Sequence, residues 1–287
     1  MITSYLRASL ALSNCFYAEW AVPTIDFPMD QNKLKKALSP LPLGDIQYFD
    51  SIGSTNSEAL AWATGGAKDL SLVIADEQTA GRGRLGRKWF TPKGTALALS
   101  IILRPTTGEK PYLTRIVGLA ALAVTDVLRT RGLVSQIKWP NDVLLNGRKV
   151  AGILVESVWS GEDVDGLVIG IGVNVLEEAV PSAELLFFPA TSLEESLGPL
   201  VEREKVLHDI LAGLIALRPH LSSDSFIASW EKALAFRGEQ VQAEGKDGSL
   251  VTGKLLGLEP DGSLRLMDET GKSVTVRFGD VRLRPGK

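Results

Sequence analysis

A regular alternation of short apolar, β-branched segments with helix-like segments runs from residue 46 to residue 235 and limits the folds open to this chain. Strands and helices in this order predict an α/β (α+β) domain with a mixed sheet and flanking helices. Ser54 or Thr55 is the predicted N-cap of the first helix, and Asn146-Gly147 predicts a hairpin turn. The predicted strands are 47–49, 72–75, 95–103, 135–139, 143–145, 150–158 and 167–175, and the predicted helices are 55–64, 111–132, 201–217 and 223–235.

The pattern changes after Phe236, where short alternating strands begin that are separated by turn pairs. Asp247-Gly248 and Asp261-Gly262 are two of these turns, and they indicate a small all-β barrel over residues 236–287. Residues 46–235 then form the larger domain, and residues 1–45 form an N-terminal extension. We expect the first ~25 residues of that extension to be poorly ordered.

The composition excludes several classes of protein. The 287 residues include 31 Lys and Arg against 34 Asp and Glu, and a net charge of −3 gives no reason to expect binding to DNA or to an anionic membrane. The longest apolar run, residues 116–124, is well short of the ~20 residues of a membrane span. One cysteine, Cys15, and two histidines, His208 and His220, are too few for a disulfide or a zinc cluster. We therefore expect a soluble, cytoplasmic protein.

Residues 81–88 form a basic loop with three glycines and four cations, Arg82, Arg84, Arg87 and Lys88. Guanidinium groups and exposed backbone N–H groups both bind anions such as phosphate or carboxylate, and glycine lets the backbone come close to a ligand. The pattern alone is equally compatible with a solvated basic loop or an RNA-contacting tract. The loop thus indicates an anion site without identifying the anion.

Two further motifs contain polar residues at the ends of predicted strands. Residues 138–142 read Lys-Trp-Pro-Asn-Asp, and the oxygens of Asn141 and Asp142 are of the kind that bind hydrated Mg²⁺. Gly170, Gly172 and Asn174 lie at the end of a buried strand. Each motif taken alone is compatible with a purely structural role.

Taken together and in order, these motifs resemble the biotin–protein ligase family over most of residues 46–287. The segments that carry the resemblance are residues 54–56, 77–89, 138–142, 148–156, 170–174 and 189–193. The resemblance implies the catalytic domain of biotin and lipoate ligases followed by a small SH3-like all-β barrel. It also implies an ATP-dependent, Mg²⁺-dependent reaction in two steps. Biotin and ATP form biotinyl-5′-AMP, and a lysine of a biotin carboxyl carrier protein then displaces AMP.

The resemblance also implies roles for particular residues. Arg84 and Lys149 are the expected catalytic residues, and Asp142 is a candidate metal ligand. The expected biotin-binding residues are Ser54, Thr55, Asn56, Gln78, Gly81, Arg82, Gly83, Arg84, Lys149 and Gly152. The expected ATP-binding residues are Arg84, Arg87, Trp89, Asn141, Lys149 and Asn174.

The main alternative is a lipoate or octanoyl ligase or transferase of the same fold, although the basic loop and the all-β tail favour a biotin ligase. A non-enzymatic biotin-binding or RNA-binding protein would not need Lys149 or the corner at residues 139–142. Some members of the family are also transcriptional repressors, but the ~45 charge-balanced residues before the matched region predict no DNA-binding domain. A monomer and a homodimer are both compatible with the sequence.

Overall fold

A seven-stranded mixed sheet is the centre of the larger domain in the computed structural model, which describes residues 29–245, 248–277 and 281–286. The strand order is β1-β2-β3-β7-β6-β5-β4; β1 and β2 are parallel, and the other neighbours are antiparallel. This confirms the predicted mixed sheet. The strands are β1 Ile46–Phe49, β2 Leu72–Ala75, β3 Ala96–Leu103, β4 Ser135–Lys138, β5 Asp142–Leu145, β6 Arg148–Ser160 and β7 Asp163–Asn174.

Helices flank the sheet. The α-helices are α1 Gln31–Leu38, α2 Thr55–Thr64, α3 Ile116–Thr130, α4 Glu194–Leu197, α5 Arg203–Leu217 and α6 Asp224–Ala233. Helix α2 packs on β2, β3, β6 and β7, while α3 contacts the sheet together with α5 and α6. Alternate residues of β3 therefore point into two hydrophobic cores, a large one that contains Leu99 and Ile101 and a small one that contains Ile102.

The segment Lys110–Thr130, which ends with α3, is long and apolar enough to cross a membrane if length and composition alone are considered. Its most apolar stretch is 67% buried inside the protein. Leu119, Leu122 and Leu128 are almost inaccessible to solvent. The apolar character of this segment is that of a helix at the centre of a domain core.

Several predicted boundaries differ from the structure. A 3₁₀ turn, Lys110–Arg115, precedes α3, because Tyr112 leaves helical geometry at φ −113°, so α3 begins five residues after Pro111. Strands β6 and β7 extend to Ser160 and Asp163, beyond their apolar residues, because the hydrogen-bonded ladder does not require apolar side chains. The Asn146-Gly147 turn is confirmed, with both residues at positive φ.

Helix α1 was not predicted from the sequence. Asp30 caps it by accepting hydrogen bonds from the backbone N–H groups of Asn32 and Lys33. Leu34 and Leu38 are buried, and α1 packs against α5. Cys15 and the segment expected to be poorly ordered lie outside the described residues.

Five strands after residue 236 form an antiparallel sheet in the order β11-β10-β9-β8-β12, as expected for a small SH3-like barrel. The barrel contacts the larger domain near the 138–142 corner, because the Trp139 indole N–H donates to the carbonyl of Gly262 at 3.0 Å. Arg115 donates to the carbonyl of Pro260 from the same side. The strands are β8 Gln240–Gly245, β9 Leu250–Leu258, β10 Leu264–Met267, β11 Ser273–Val276 and β12 Val281–Pro285.

Candidate active site

A cavity of about 680 Å³ lies over β6 and β7, between the basic loop and residues 179–190. It is large enough to enclose a small molecule. Gly81 is the exception among the predicted site residues, because it packs beneath the carbonyl of Trp89 and does not line the cavity. The predicted residues that do line it are Ser54, Thr55, Asn56, Gln78, Arg82, Gly83, Arg84, Arg87, Trp89, Asn141, Asp142, Lys149, Gly152 and Asn174.

The start of helix α2 forms one end of the cavity. Ser54 is the N-cap residue by position, but its side chain makes no capping hydrogen bond. Instead, Gln78 Oε1 accepts from the backbone N–H of Thr55 at 2.8 Å and from its hydroxyl at 3.1 Å. The predicted N-cap position of Ser54 is therefore confirmed, but Gln78 supplies the side-chain acceptor and leaves the Ser54 hydroxyl at the cavity wall.

A chain of hydrogen bonds continues from Thr55 across the sheet. Ser100 Oγ on β3 lies 2.8 Å from Thr55 Oγ1 and 2.5 Å from Asn56 Oδ1. Asn56 Nδ2 donates to Glu156 Oε2 at 2.8 Å, and the Arg82 guanidinium donates to both carboxylate oxygens of Glu156. Neutral polar groups that are almost fully buried thus line this end, with one arginine–glutamate pair at its margin.

The basic loop is a short hairpin in the structure. Gly83 N donates to Arg87 O at 2.7 Å, and Trp89 N donates to Gly81 O at 2.9 Å. Leu85 lies in the left-handed region at φ 60°, a conformation that is unfavourable for a residue with a side chain. Arg84 leaves the hairpin tip and donates to Asn141 Oδ1 at 3.1 Å, so the tip is joined to the 138–142 corner.

The opposite end of the cavity is ionic. Asp142 on β5 lies between two lysines, with Lys149 Nζ 2.6 Å from Oδ1 and Lys138 Nζ 3.3 Å from Oδ2. Burial by itself would raise the pKa of Asp142, but the two ammonium groups outweigh it and hold that pKa below its usual value. Burial also lowers the pKa of Lys138, with the positive charge of Lys149 acting in the same direction.

The contacts of Asp142 do not fit the predicted role of a metal ligand. Both of its oxygens are engaged by ammonium groups, which would repel a divalent cation. Among residues 29–245, 248–277 and 281–286, no group of three or more His, Cys, Asp or Glu could hold a metal ion. As paired here with two lysines, Asp142 therefore offers no free carboxylate oxygen to Mg²⁺.

Trp89 and a loop after β7 form the wall beside the ionic end. The Trp89 ring lies directly on Gly172, where a Cβ atom would overlap the indole, and Lys149 Nζ lies 5.2 Å from the centre of the ring. Asn174 donates to the carbonyl of Thr191 and so is engaged with the loop, although it also lines the cavity. The sheet thus accommodates an aromatic ring only because glycine stands at this position of β7.

The loop at residues 189–195 is fastened to β6. Lys149 N donates to Pro189 O, and Thr191 N donates to Lys149 O, which pairs the loop with the strand that carries Lys149. Beside them, Arg148 donates to both oxygens of Glu195 at 2.9 and 2.5 Å. Glu195 also accepts from the Thr191 hydroxyl at 2.7 Å.

Sequence reasoning missed several residues of the site. Ser100 is a polar residue within an otherwise apolar strand, and that pattern could have drawn attention to it. Glu156 lies in the 148–156 segment that carries the family resemblance, but no role was predicted for it. Phe187 and Phe188 face Arg87 and Lys138, and Arg284 of the barrel lines the cavity; no local pattern indicated them.

Comparison with known proteins agrees with this fold. Residues 48–174 match the sequence model of the biotin/lipoate A/B protein ligase family. A biotin–[acetyl-CoA-carboxylase] ligase from Paracoccus denitrificans is 38% identical over 77% of this chain and 93% of its own length. The bifunctional ligase/repressor BirA of Bacillus subtilis is 34% identical over 85% of this chain and 76% of its own length.

Among solved structures, the biotin protein ligase from Aquifex aeolicus in complex with biotin and ATP superimposes with a TM-score of 0.73. It is 30% identical, and the match covers 84% of this chain and 99% of that structure. The fold and the cavity thus define a ligase of the biotin/lipoate class. Within that class, the chain belongs to the biotin–protein ligase family.

Proposed function

We propose that this enzyme joins biotin to a carrier protein through biotinyl-5′-AMP, with biotin at the α2 end of the cavity and ATP at the ionic end. The observation that carries the proposal is the division of one cavity into a neutral polar end and a cationic end. A fused ureido ring needs short hydrogen-bonding groups and no charge, whereas a nucleotide phosphate needs cations. The Aquifex aeolicus ligase that shares the fold was solved with biotin and ATP together.

In the first step, the biotin carboxylate attacks the α-phosphorus of ATP, a carboxyl–phosphate bond forms, and pyrophosphate leaves. Negative charge increases on the α-phosphoryl oxygens, so fixed cations beside them lower the barrier. Lys149 is the proposed catalytic cation, and Asp142 holds its ammonium group 2.6 Å away. Arg84 and Arg87 are the proposed phosphate-binding residues of the basic loop, while Trp89, Asn141 and Asn174 complete the proposed nucleotide site.

In the second step, a lysine amine of the carrier attacks the acyl carbon of the mixed anhydride, an amide bond forms, and AMP leaves. No enzyme nucleophile takes part. Because the anhydride reacts with water, the basic loop must also cover it until the carrier arrives. The hairpin tip, which is joined to Asn141 through Arg84, is placed to do this.

The acceptor in this proposal is the biotin carboxyl carrier protein of a biotin-dependent carboxylase, and the enzyme works in the cytoplasm. We also propose that it does not repress transcription, because its 31 basic and 34 acidic residues give no net positive charge for DNA. A gel-shift assay with biotinyl-5′-AMP present checks this point, and a specific shift would contradict it.

In the decisive experiment, the protein is incubated with a carrier domain, ATP and biotin. Parallel reactions contain lipoate or octanoate in place of biotin. We expect mass spectrometry to find biotin on one carrier lysine, and pyrophosphate release to require both biotin and ATP. Reaction of lipoate or octanoate in place of biotin would favour the alternative ligase. A carrier that stays unmodified by all three acids, with no release of pyrophosphate, would refute the proposal.

A further inference from the structure

Glu156 on β6 belongs to none of the predicted sets of site residues, yet it joins two of their members. One carboxylate oxygen accepts from Asn56 Nδ2 at 2.8 Å, and the two oxygens together accept from Arg82 at 2.8 and 3.0 Å. The Glu156 side chain is 25% exposed, so solvent screens these bonds only in part. Glu156 therefore links helix α2, the basic loop and the sheet at one point.

The contacts of Glu156 decide which way the Asn56 amide faces. An ionised carboxylate can only accept hydrogen bonds, so the nitrogen of Asn56 must face Glu156, as it also faces the carbonyl of Leu154 at 3.3 Å. The carbonyl oxygen of Asn56 is thereby turned towards Ser100 Oγ. Glu156 and the Leu154 carbonyl thus fix the orientation of the amide together, and Glu156 makes the shorter of the two bonds.

The orientation of Asn56 in turn limits the hydrogen bonds that the Ser100 and Thr55 hydroxyls can form. Ser100 has one hydroxyl hydrogen and two oxygens within reach, Asn56 Oδ1 and Thr55 Oγ1. That single hydrogen is shared between the two, and the shorter contact is to Asn56 Oδ1, which can only accept. Asn56 and Thr55 both line the cavity, so these bonds fix the polar groups that a bound molecule meets there.

We propose that Glu156 is a positioning residue that sets the donor and acceptor pattern at the α2 end of the cavity. It acts through Asn56 and Ser100 on Thr55, and through Arg82 on the basic loop. This inference rests on the proposed function, in which the α2 end takes the ureido group of biotin. The ureido group then meets an Asn56 amide whose orientation Glu156 fixes, next to the Ser100 and Thr55 hydroxyls that are hydrogen-bonded to it in series.

The test measures biotin binding without ATP by calorimetry and the KM values of both substrates. In Glu156→Gln, one amide oxygen replaces two carboxylate oxygens, so Asn56 and Arg82 compete for a single acceptor. We expect biotin to bind about tenfold more weakly, as for the loss of a buried hydrogen bond. The KM for ATP and the kcat should change less than biotin affinity does, because Lys149 and Asp142 at the ionic end are untouched.

A double-mutant cycle with Ser100→Ala tests whether the effect passes along the chain. If Glu156 acts through Ser100, Glu156→Gln should cost less than about threefold in biotin affinity once the hydroxyl is gone. Additive losses would show that Glu156 does not act through Ser100 and would overturn the proposed relay. A merely structural role for Glu156 predicts such additivity.

Glu109→Gln is the matched control, because Glu109 also accepts two hydrogen bonds from one arginine, Arg218, but lies outside the cavity. Glu109→Gln should leave biotin affinity unchanged. It measures the effect on the protein of losing an arginine–glutamate pair away from the cavity. If the unmodified protein fails to bind biotin at all, the proposed function is wrong. If that protein binds biotin and Glu156→Gln binds it equally well, only the role of Glu156 is wrong.

Discussion

The two ends of the cavity recognise their ligands by different physical means. At the α2 end, Thr55, Asn56 and Ser100 are almost fully buried and neutral, and each is held by neighbouring polar groups. At the other end, two partly buried lysines, Lys138 and Lys149, flank the buried carboxylate of Asp142. The first end can discriminate by the direction of its hydrogen bonds, and the second by charge.

This difference implies a division of labour within the reaction. Hydrogen bonds to an uncharged ring are equally strong before and during the reaction, so they contribute to substrate affinity. Cations beside a phosphate interact more strongly as charge develops in the transition state, so they contribute to rate. Substitutions at the two ends should therefore change different kinetic constants.

The largest expected effect is that of Lys149→Ala at the ionic end. Removal of the ammonium group 2.6 Å from Asp142 should slow pyrophosphate release in a single turnover by about 100-fold or more. Biotin affinity should fall much less than the rate does, because the biotin ring lies at the other end. Lys149→Met is the control for lost packing on Trp89. An unchanged single-turnover rate in both variants would remove Lys149 from the catalytic role.

A smaller effect is expected for Arg84→Ala, which breaks the bond between the hairpin tip and Asn141. Biotinyl-5′-AMP should dissociate about tenfold faster, because one charge-assisted contact that closes the loop is lost. Biotin affinity should fall by a smaller factor than the retention of biotinyl-5′-AMP. Lys88→Ala is the matched control, since it removes a neighbouring cation of the same loop. Equal losses of adenylate retention and biotin affinity in Arg84→Ala would contradict a covering role.

The sequence was sufficient for the mixed sheet and for most residues of the cavity, because these residues cluster in contiguous motifs at strand ends. Ser100 and Arg284 join the site from other parts of the chain, and only the folded registers bring them there. Asp142 shows the same limit. Sequence could indicate a carboxylate near a phosphate site, but only the pairing of β5 with β4 and with β6 shows that two lysines already neutralise it.

The smallest expected effect lies just outside the ionic end, at Glu195. This residue ties Arg148 and Thr191 together, but its side chain is 41% exposed, and exposed ion pairs contribute little to stability. In Glu195→Gln the loop at residues 189–195 should hold the nucleotide less firmly, and the KM for ATP should rise by up to about fivefold. The KM for biotin should stay within error, in contrast to Glu156→Gln at the other end. If Glu195→Gln raised both KM values equally, the two ends would be coupled through the loop, and their separation by charge would no longer explain the kinetics.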